Sequence, residues 1–303
     1  MAKLPESLGR ELAAAGKTLQ RQLEAVEPIL AGEECIAAVG AGDSYAAALA
    51  LEACSQGRAR ALDPLDAAST GALGALARRG CVLLALSVGG RTRAVLEAAR
   101  AYRALGGRVV AVTGPGTPLA RLAGTTIELT YTGLAGGVGA LRHLAMLAAL
   151  AAALGEDPGP LEPPGMDCDA LWPWVHTGAA EAYSSALYAV LKLYEVYGRP
   201  ARSERLEQLV HAPVYATDSV TVYMSSAAPQ ARQREVVETL REAGLRVYTV
   251  PACGSCWGTA MGQALAVLRC LAEAVRKDSV DEPHYRRHPG LEQLTRLIYT
   301  MEE

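Results

Sequence analysis

Apolar residues recur three and four positions apart through the first thirty residues of the chain. This spacing places them on one face of a helix, and Gly32 follows as a residue type that ends helices. The sequence therefore predicts an amphipathic N-terminal helix within residues 1–32. Its apolar face consists of Leu8, Leu12, Leu19, Leu23, Val26 and Leu30.

The pattern then changes to short, continuously apolar runs that are separated by stretches with helical spacing. Strands that are apolar on both faces are typical of a parallel sheet covered by helices on each side. Predicted strands lie at 35–40, 58–62, 81–87, 108–113 and 126–131. Predicted helices lie at 44–55, from the glycine turn at 89–90 through 105, and from a second glycine turn at 133–139 to 154.

Residues 155–166 contain four prolines among glycine and acidic residues, a composition typical of a linker. Beyond it the order of strands and helices restarts. Predicted strands lie at 171–177, 220–225 and 246–250, and predicted helices at 181–197, 231–243 and 258–275. We therefore predict an α/β protein with two doubly wound, flavodoxin-like parallel sheets, in domains at 33–155 and 166–303.

The composition excludes several classes of protein. Half of the 303 residues are apolar and 20% are charged, which excludes a disordered or fibrous chain. The formal net charge of −3 gives no reason to expect a nucleic-acid partner. The longest apolar run, 144–154, is too short to span a bilayer, and no N-terminal targeting signal is visible. We expect a cytoplasmic protein with no membrane partner.

Seven cysteines is an odd count, in a chain too large to need a disulfide scaffold. We expect Cys35, Cys81 and Cys270 to be free thiols that pack as small apolar side chains. Cys253 and Cys256 form the one closely spaced pair, but the remaining pattern of a zinc site or a redox pair does not accompany them. No metal and no cofactor are predicted.

The turns that follow the predicted strands carry the candidate binding groups, because ligands of open parallel sheets bind at the carboxyl ends of the strands. The turn Gly40-Ala41-Gly42-Asp43-Ser44 presents amides and a hydroxyl where a helix begins. The turn Ser87-Val88-Gly89-Gly90-Arg91-Thr92 adds two hydroxyls and an arginine. Such groups form a nest for a phosphate. The alternative is an ordinary tight turn with a serine or threonine helix cap.

The second half carries candidate acid–base groups. Lys192 and Glu195 lie three positions apart on a predicted helix and share a face. The helix dipole and partial burial would both disfavour the charged form of Glu195, which makes it a candidate general base. The alternative is a surface salt bridge worth about 0.3 kcal/mol. His211 lies among apolar neighbours before Pro213, where a buried structural histidine is the alternative to a catalytic one.

Together these motifs resemble the sugar isomerase (SIS) domain family. The likeness rests on the Gly-Asp-Ser turn, the Ser-x-x-Gly-x-Thr loop and the Lys-x-x-Glu…His-x-Pro segment, and it runs from about Cys35 to His288. It is greatest to the isomerase half of glucosamine-6-phosphate synthase and extends to archaeal-type phosphoglucose/phosphomannose isomerases. The interval from Glu195 to His211 is the one that the catalytic residues of this family require.

The resemblance implies a role for each residue. Glu195 would move a proton between C1 and C2 through an enediol(ate), and Lys192 would steady the developing negative charge. His211 would assist ring opening from the neighbouring subunit, which implies a homodimer with a shared active site. The implied phosphate and substrate site consists of Ser44, Ser87, Gly89, Gly90, Arg91, Thr92 and Val138.

The chain departs from the family pattern at several positions. Gly89 stands where the family usually has a second serine, and Arg91 would replace the lost contact. Ala140 stands where a serine or threonine is expected, and His-Ala-Pro replaces His-Gly-Pro around Ala212. His288 stands where the aminosugar enzymes carry a lysine that helps to open the ring, and it is therefore a further catalytic candidate.

Three functions follow from the resemblance. The leading hypothesis is an aldose–ketose isomerase that acts on hexose 6-phosphates. A deaminase or deglycase of aminosugar phosphates would use the same base with a nitrogen leaving group. A non-catalytic phosphosugar sensor would need a protein partner, because the 32 N-terminal residues are too few for a DNA-binding domain.

Overall fold

The computed structural model of the chain describes residues 2–69, 71–134 and 137–300. Internal contacts divide the chain into two units. The five-stranded unit comprises Lys17–Gly133, Ala145–Asp157 and Arg287–Glu303. The four-stranded unit comprises Met1–Gly16, Leu134–Leu144 and Pro158–Arg286. The domain boundaries given above stay predictions.

The sheet of the five-stranded unit is parallel throughout. Its strands are β1 (Ile36–Val39), β2 (Ala59–Leu62), β3 (Val82–Leu86), β4 (Arg108–Thr113) and β5 (Thr125–Glu128). The spatial order is β2-β1-β3-β4-β5. Every residue of β1 and β3 is buried, as their continuous apolar runs predict.

Seven helices are described before residue 155. They are α1 (Leu4–Glu24), α2 (Asp43–Cys54), α3 (Pro64–Ser69), α4 (Ala72–Arg78), α5 (Arg93–Ala104), α6 (Pro118–Leu122) and α7 (Ala140–Leu154). In α5, Tyr102 is fully buried, and its hydroxyl donates a hydrogen bond to the carbonyl of Cys81 at 2.7 Å. This bond holds α5 against the start of β3.

The sheet of the four-stranded unit is also parallel, with the order β7-β6-β8-β9. Its strands are β6 (Val175–Gly178), β7 (Arg202–Arg205), β8 (Ser219–Tyr223) and β9 (Arg246–Val250). The later helices are α8 (Ala180–Tyr197), α9 (Leu206–Leu209), α10 (Gln230–Glu242), α11 (Cys256–Lys277) and α12 (Leu291–Ile298). In the described part of the chain, no helix has both the length and the apolar character needed to cross a membrane.

The predicted α/β class with two parallel sheets is confirmed, and three element boundaries are corrected. α1 ends at Glu24 well before Gly32, because Pro28 lacks the amide hydrogen that would continue the helix. Residues 168–171 form a 3-10 helix, so that β6 begins only at Val175. β5 ends at Glu128, three residues earlier than predicted.

The polar sequence Arg-Ser-Glu-Arg at 202–205 does not predict β7. This strand lies at the edge of its sheet and bonds only to β6. Charged side chains are typical of edge strands, since they discourage pairing with other chains. The apolar pattern therefore identifies three of the four strands of this sheet and misses the polar edge strand β7.

Two disulfides show that the expectation of free thiols is wrong for Cys35, Cys81 and Cys270. Cys35 is bonded to Cys81, with 4.7 Å between their Cα atoms, and Cys168 is bonded to Cys270, with a separation of 5.0 Å. Cys35 and Cys81 directly precede β1 and β3, which pair in register from their first residues. The parallel register therefore brings these two side chains together.

We expect the Cys168→Ala variant to unfold at a lower temperature than the wild type under non-reducing conditions. A bond that joins residues 102 positions apart restricts the unfolded chain strongly, and its loss costs about 2–5 kcal/mol of unfolding free energy. Thermal unfolding with and without a thiol reductant measures the effect. A wild-type protein whose unfolding temperature is the same in both conditions would contradict this prediction.

Cys253 has a free, half-buried thiol, and burial raises its pKa. Among the described residues, no group of three or more His, Cys, Asp or Glu side chains is placed to hold a metal ion.

Candidate functional site

Two turns meet at one edge of the five-stranded sheet. β1 and β3 are parallel neighbours, so the turns that follow them lie side by side. β2 continues the sheet on one side of β1, and β3 and β4 continue it on the other. This reversal of strand order is where open α/β sheets form a crevice for ligands.

The turn after β1 is tight because of its glycines. A Cβ atom at Gly40 would lie 2.8 Å from the backbone carbonyl of Ser44, and Gly42 has φ of +58°. A side chain at position 40 would collide, and one at 42 would be strained. Ser44 lies in the first turn of α2 and is 8% exposed. The glycines thus bring the start of α2 close to the end of β1.

The turn after β3 brings two hydroxyls together. The Oγ of Ser87 and the Oγ1 of Thr92 lie 2.9 Å apart. Gly90 has φ of +58°, and its amide donates to the carbonyl of Ser87 at 2.9 Å. A Cβ atom at Gly90 would lie 2.4 Å from the side chain of Thr117. The tight packing requires glycine at position 90, while Gly89 is exposed.

Thr92 occupies the N-cap position of α5, but its side chain forms no capping hydrogen bond. Its hydroxyl is directed to Ser87 instead. The alternative of an ordinary helix cap therefore does not describe Thr92. The loop holds this hydroxyl near the start of α5, where it could donate a hydrogen bond to a bound anion.

Arg91 is exposed and lines a cavity of about 530 Å³ beside this loop. Arg121 lines the same cavity, and its guanidinium donates to the carbonyl of Gly116 at 2.7 Å. The backbone amide of Thr300 donates to the carbonyl of Arg91 at 3.0 Å. Two arginines therefore line this cavity, and positively charged side chains attract anions.

We expect Thr92→Val to weaken the binding of a hexose 6-phosphate about tenfold. Valine keeps the branched shape of threonine and removes one hydrogen bond to a charged oxygen, worth about 1.5 kcal/mol. Isothermal titration measures the dissociation constant. Thr125→Val, at an exposed position of β5, is the matched control, and an equal loss in both variants would contradict a role for the Thr92 hydroxyl.

The four-stranded unit contains the candidate acid–base pair. Nζ of Lys192 lies 2.6 Å from Oε2 of Glu195 and donates to the carbonyl of Val138 at 3.2 Å. The side chain of Lys192 is only 1% exposed, whereas that of Glu195 is 33% exposed. The pair is therefore not a surface salt bridge. The ammonium thus places a buried positive charge beside a carboxylate that lies near the C-terminal end of α8.

Two residues that sequence reasoning missed support this pair. The hydroxyl of Tyr188 donates to the carbonyl of Ala140 at 3.2 Å. Its ring is stacked on His143 with 4.4 Å between centroids, and Nζ of Lys192 lies 5.5 Å from the centre of the Tyr188 ring. Tyr188 lies one helical turn before Lys192 on α8, which is the only sequence signal that could have found it.

His211 follows α9 in a turn and is exposed. The alternative of a buried structural histidine is therefore not what the structure shows. A hydrogen bond from Arg232 lowers the pKa of Glu207, and the charge of His211 acts in the same direction. His211 thus lies on the surface of the four-stranded unit.

His288 is also exposed, and its Nδ1 accepts a hydrogen bond from the amide of Gly290 at 3.1 Å. This contact closes the turn that precedes α12. The glycine turn at 133–139 is described only in part, because residues 135 and 136 lie outside the described residues. Val138 belongs to the described part, and its carbonyl is the one that Lys192 contacts.

Neither a protein-family model nor a curated protein matches this sequence. Solved structures do match it. The C-terminal domain of glucosamine-fructose-6-phosphate aminotransferase from Francisella tularensis has a TM-score of 0.69 at 14% identity, over 91% of this chain and 98% of that chain.

Two further structures are similar to the same extent. Glucosamine-6-phosphate deaminase from Thermotoga maritima has a TM-score of 0.66 at 15% identity, over 92% of this chain and 97% of that chain. Tagatose-6-phosphate ketose/aldose isomerase from Escherichia coli has a TM-score of 0.61 at 16% identity, over 92% and 93%. At these identities the likeness shows the fold alone, an α/β protein with two parallel sheets.

Proposed function

We propose that this chain binds a sugar phosphate and interconverts the aldose and ketose forms of a hexose 6-phosphate. The observation that carries the proposal is the buried Lys192 ammonium, which holds the Glu195 carboxylate and the Val138 carbonyl together. A buried lysine beside a partly open carboxylate is an arrangement typical of functional sites. The SIS-type fold of the neighbours supports the same class of substrate.

The proposed phosphate site is the pair of turns in the five-stranded unit. A phosphate ester carries a charge of about −1.5 to −2 and offers three acceptor oxygens. The hydroxyls of Ser44, Ser87 and Thr92, together with the amide of Gly89, supply donors, while the amide of Gly90 is bonded to the carbonyl of Ser87. Arg91 is the proposed source of positive charge where the family has a second serine. A phosphate at this place also lies at the positive end of the α5 dipole.

The proposed chemistry is a proton transfer. Glu195 removes the proton from C2 of the open-chain aldose, and the electron pair forms the double bond of an enediol(ate). Return of the proton to C1, with loss of the O2 hydroxyl proton as the C2 carbonyl forms and gain of a proton at O1, gives the ketose, so that no redox partner is needed. Lys192 stabilises the negative charge that develops on the oxygen atoms. His211 and His288 are proposed to assist ring opening.

Isomerisation of glucose 6-phosphate or fructose 6-phosphate in heavy water tests this proposal. We expect deuterium to enter at the carbon that gains the proton. Release of ammonia from glucosamine 6-phosphate without isomerisation would instead support a deaminase. Binding of the sugar phosphates without any exchange would support a sensor. Both results would overturn the proposed isomerase.

We further infer a homodimer in which His211 serves the site of the partner subunit, since His211 is exposed in the protomer. Mixing and refolding Glu195→Gln with His211→Ala tests this arrangement. Half of the random dimers contain one copy of each variant, and one of their two sites is intact, so activity returns to about a quarter of the wild-type value. Mixtures as inactive as either variant alone would contradict sharing.

A further inference from the structure

Glu181 is a buried carboxylate that the proposed chemistry does not use. It is the second residue of α8 and lies three residues after the end of β6. The residue has no solvent exposure. A fully buried glutamate is rare unless its oxygen atoms are satisfied, because removing a charge from water is costly. The contacts of Glu181 therefore indicate what this part of the fold is built to hold.

Four donors from the turn after β8 surround the carboxylate. Oε1 accepts from the amide of Ser226 at 2.6 Å, from its hydroxyl at 2.9 Å and from the amide of Ala227 at 3.3 Å. Oε2 accepts from the hydroxyl of Ser225 at 2.7 Å. Successive amides and hydroxyls that converge on one anion constitute a nest of the kind that binds oxyanions.

The turn is held in place by bonds that do not involve Glu181. The hydroxyl of Ser225 accepts from the amides of Ala227 and Ala228 at 3.1 and 2.9 Å. The amide of Ser225 donates to Oε1 of Gln233 at 2.7 Å, and Nε2 of Gln233 donates to the carbonyl of Ala228 at 3.1 Å. Gln233 is itself 2% exposed. These bonds would keep the donors in position without the carboxylate.

The nest occupies the same place in its sheet as the proposed phosphate turns do in the other sheet. β6 and β8 are parallel neighbours where the strand order reverses, as β1 and β3 are. A Cβ atom at Gly178 would meet the backbone of Ala182, four residues on, at 2.6 Å, the same clash that Gly40 has with Ser44. Ala180 also has a positive φ, of 43°. In both sheets, a tight turn that leads into a helix thus lies beside a turn that begins with serine.

We propose that Glu181 is a built-in anion, which fills the oxyanion nest of the four-stranded unit and closes it to external anions. Only the turns of the five-stranded unit then remain open to a phosphate. Without the Glu181 side chain, the nest would accept a small carboxylate, because the shortened side chain leaves space of that size among the same four donors. This inference does not depend on the proposed isomerase activity.

Chemical rescue of Glu181→Ala tests the proposal in the full-length protein. The parent protein carries Thr92→Val, and the protein compared with it carries Thr92→Val together with Glu181→Ala. Any stabilisation by anions that bind to the five-stranded unit is therefore reduced equally in both. In sodium chloride, we expect Glu181→Ala to unfold about 5–10 °C below its parent, because four donors lose their acceptor. Sodium formate at the same ionic strength restores at least half of this loss and shifts the parent by about 1 °C or less.

Glu238→Ala, which removes an exposed carboxylate from α10, is the matched control and shows no specific response to formate. A Glu181→Ala protein whose unfolding temperature is the same in formate and chloride overturns the proposal. If this variant does not fold in chloride, its folded yield in formate is measured, and a yield no higher than in chloride overturns the proposal as well.

Glu181→Gln provides a second, independent test. Glutamine fills the space but carries no charge, and its amide group faces the four donors with only one oxygen. We expect this variant to fold with a lower unfolding temperature than the wild type and to show no rescue by formate. A variant as stable as the wild type would overturn the proposal, since the nest would then have no preference for an anion.

Discussion

Glu195→Gln is expected to lower kcat at least about 100-fold with little change in KM. Glutamine has the shape of glutamate and can still accept the hydrogen bond from Lys192, but it cannot take a proton from carbon. General-base catalysis typically contributes about 10²–10⁴-fold to the rate. The residues of the proposed phosphate site are unchanged, so ground-state binding should persist. Steady-state kinetics with the hexose 6-phosphate that shows exchange in heavy water measures the loss.

The control for this variant is Glu238→Gln, an isosteric change at an exposed position. It should leave both kinetic constants within a factor of about two. A Glu195→Gln enzyme that retains a third or more of the wild-type kcat would exclude Glu195 as the base. A variant that loses binding as well as turnover would indicate that the carboxylate holds the substrate.

Lys192→Met is expected to reduce kcat about 100-fold. Its effect on the free energy of unfolding should be much smaller than the effect of truncating most buried side chains. Methionine is unbranched and apolar, and it replaces a side chain that is already 1% exposed. Removing one partner of an ion pair is strongly destabilising when the remaining charge stays buried, and much less so when water can reach that charge. Glu195 is partly exposed, so water can solvate it once its partner is gone.

The loss of activity has a different cause. Without the ammonium, the negative charge on the enediolate is stabilised only by weaker donors, and removal of one such electrostatic contact typically costs about 10²–10³ in kcat. The Val138 carbonyl also loses the donor that positions it. Lys277→Met, at the exposed C-terminal end of α11, is the control. Normal turnover by Lys192→Met would contradict the proposed role.

The inner strands were predictable because continuous runs of apolar residues indicate buried strands. β1 and β3 are apolar at every position and buried on both faces, and only a covered parallel sheet has room for such strands. The turn glycines were predictable for a similar reason. Gly40 and Gly90 leave no space for a Cβ atom, and glycine in such turns is a local requirement of the backbone.

The pairing of the cysteines in disulfides could not be predicted from their spacing along the chain. Cys35 and Cys81 are far apart in sequence, and only the pairing of β1 with β3 brings them together. The same holds for β7. Its polar residues have no strand pattern, and it forms a strand because it pairs with β6. Both features depend on which segments pair, and pairing is a property of the whole sheet.

The features of the candidate site also fall into those that the sequence predicts and those that depend on the tertiary structure. Lys192 and Glu195 share a helix face at a fixed spacing, so the sequence alone predicts that they meet. The sequence by itself thus determined the fold class, the turns and the helical pair, because each depends on residues close together in the chain. The burial of Lys192, its bond to Val138 and the enclosure of Glu181 by the turn after β8 were decided only by the tertiary structure. These contacts join distant segments, and no local pattern encodes which segments pack against each other.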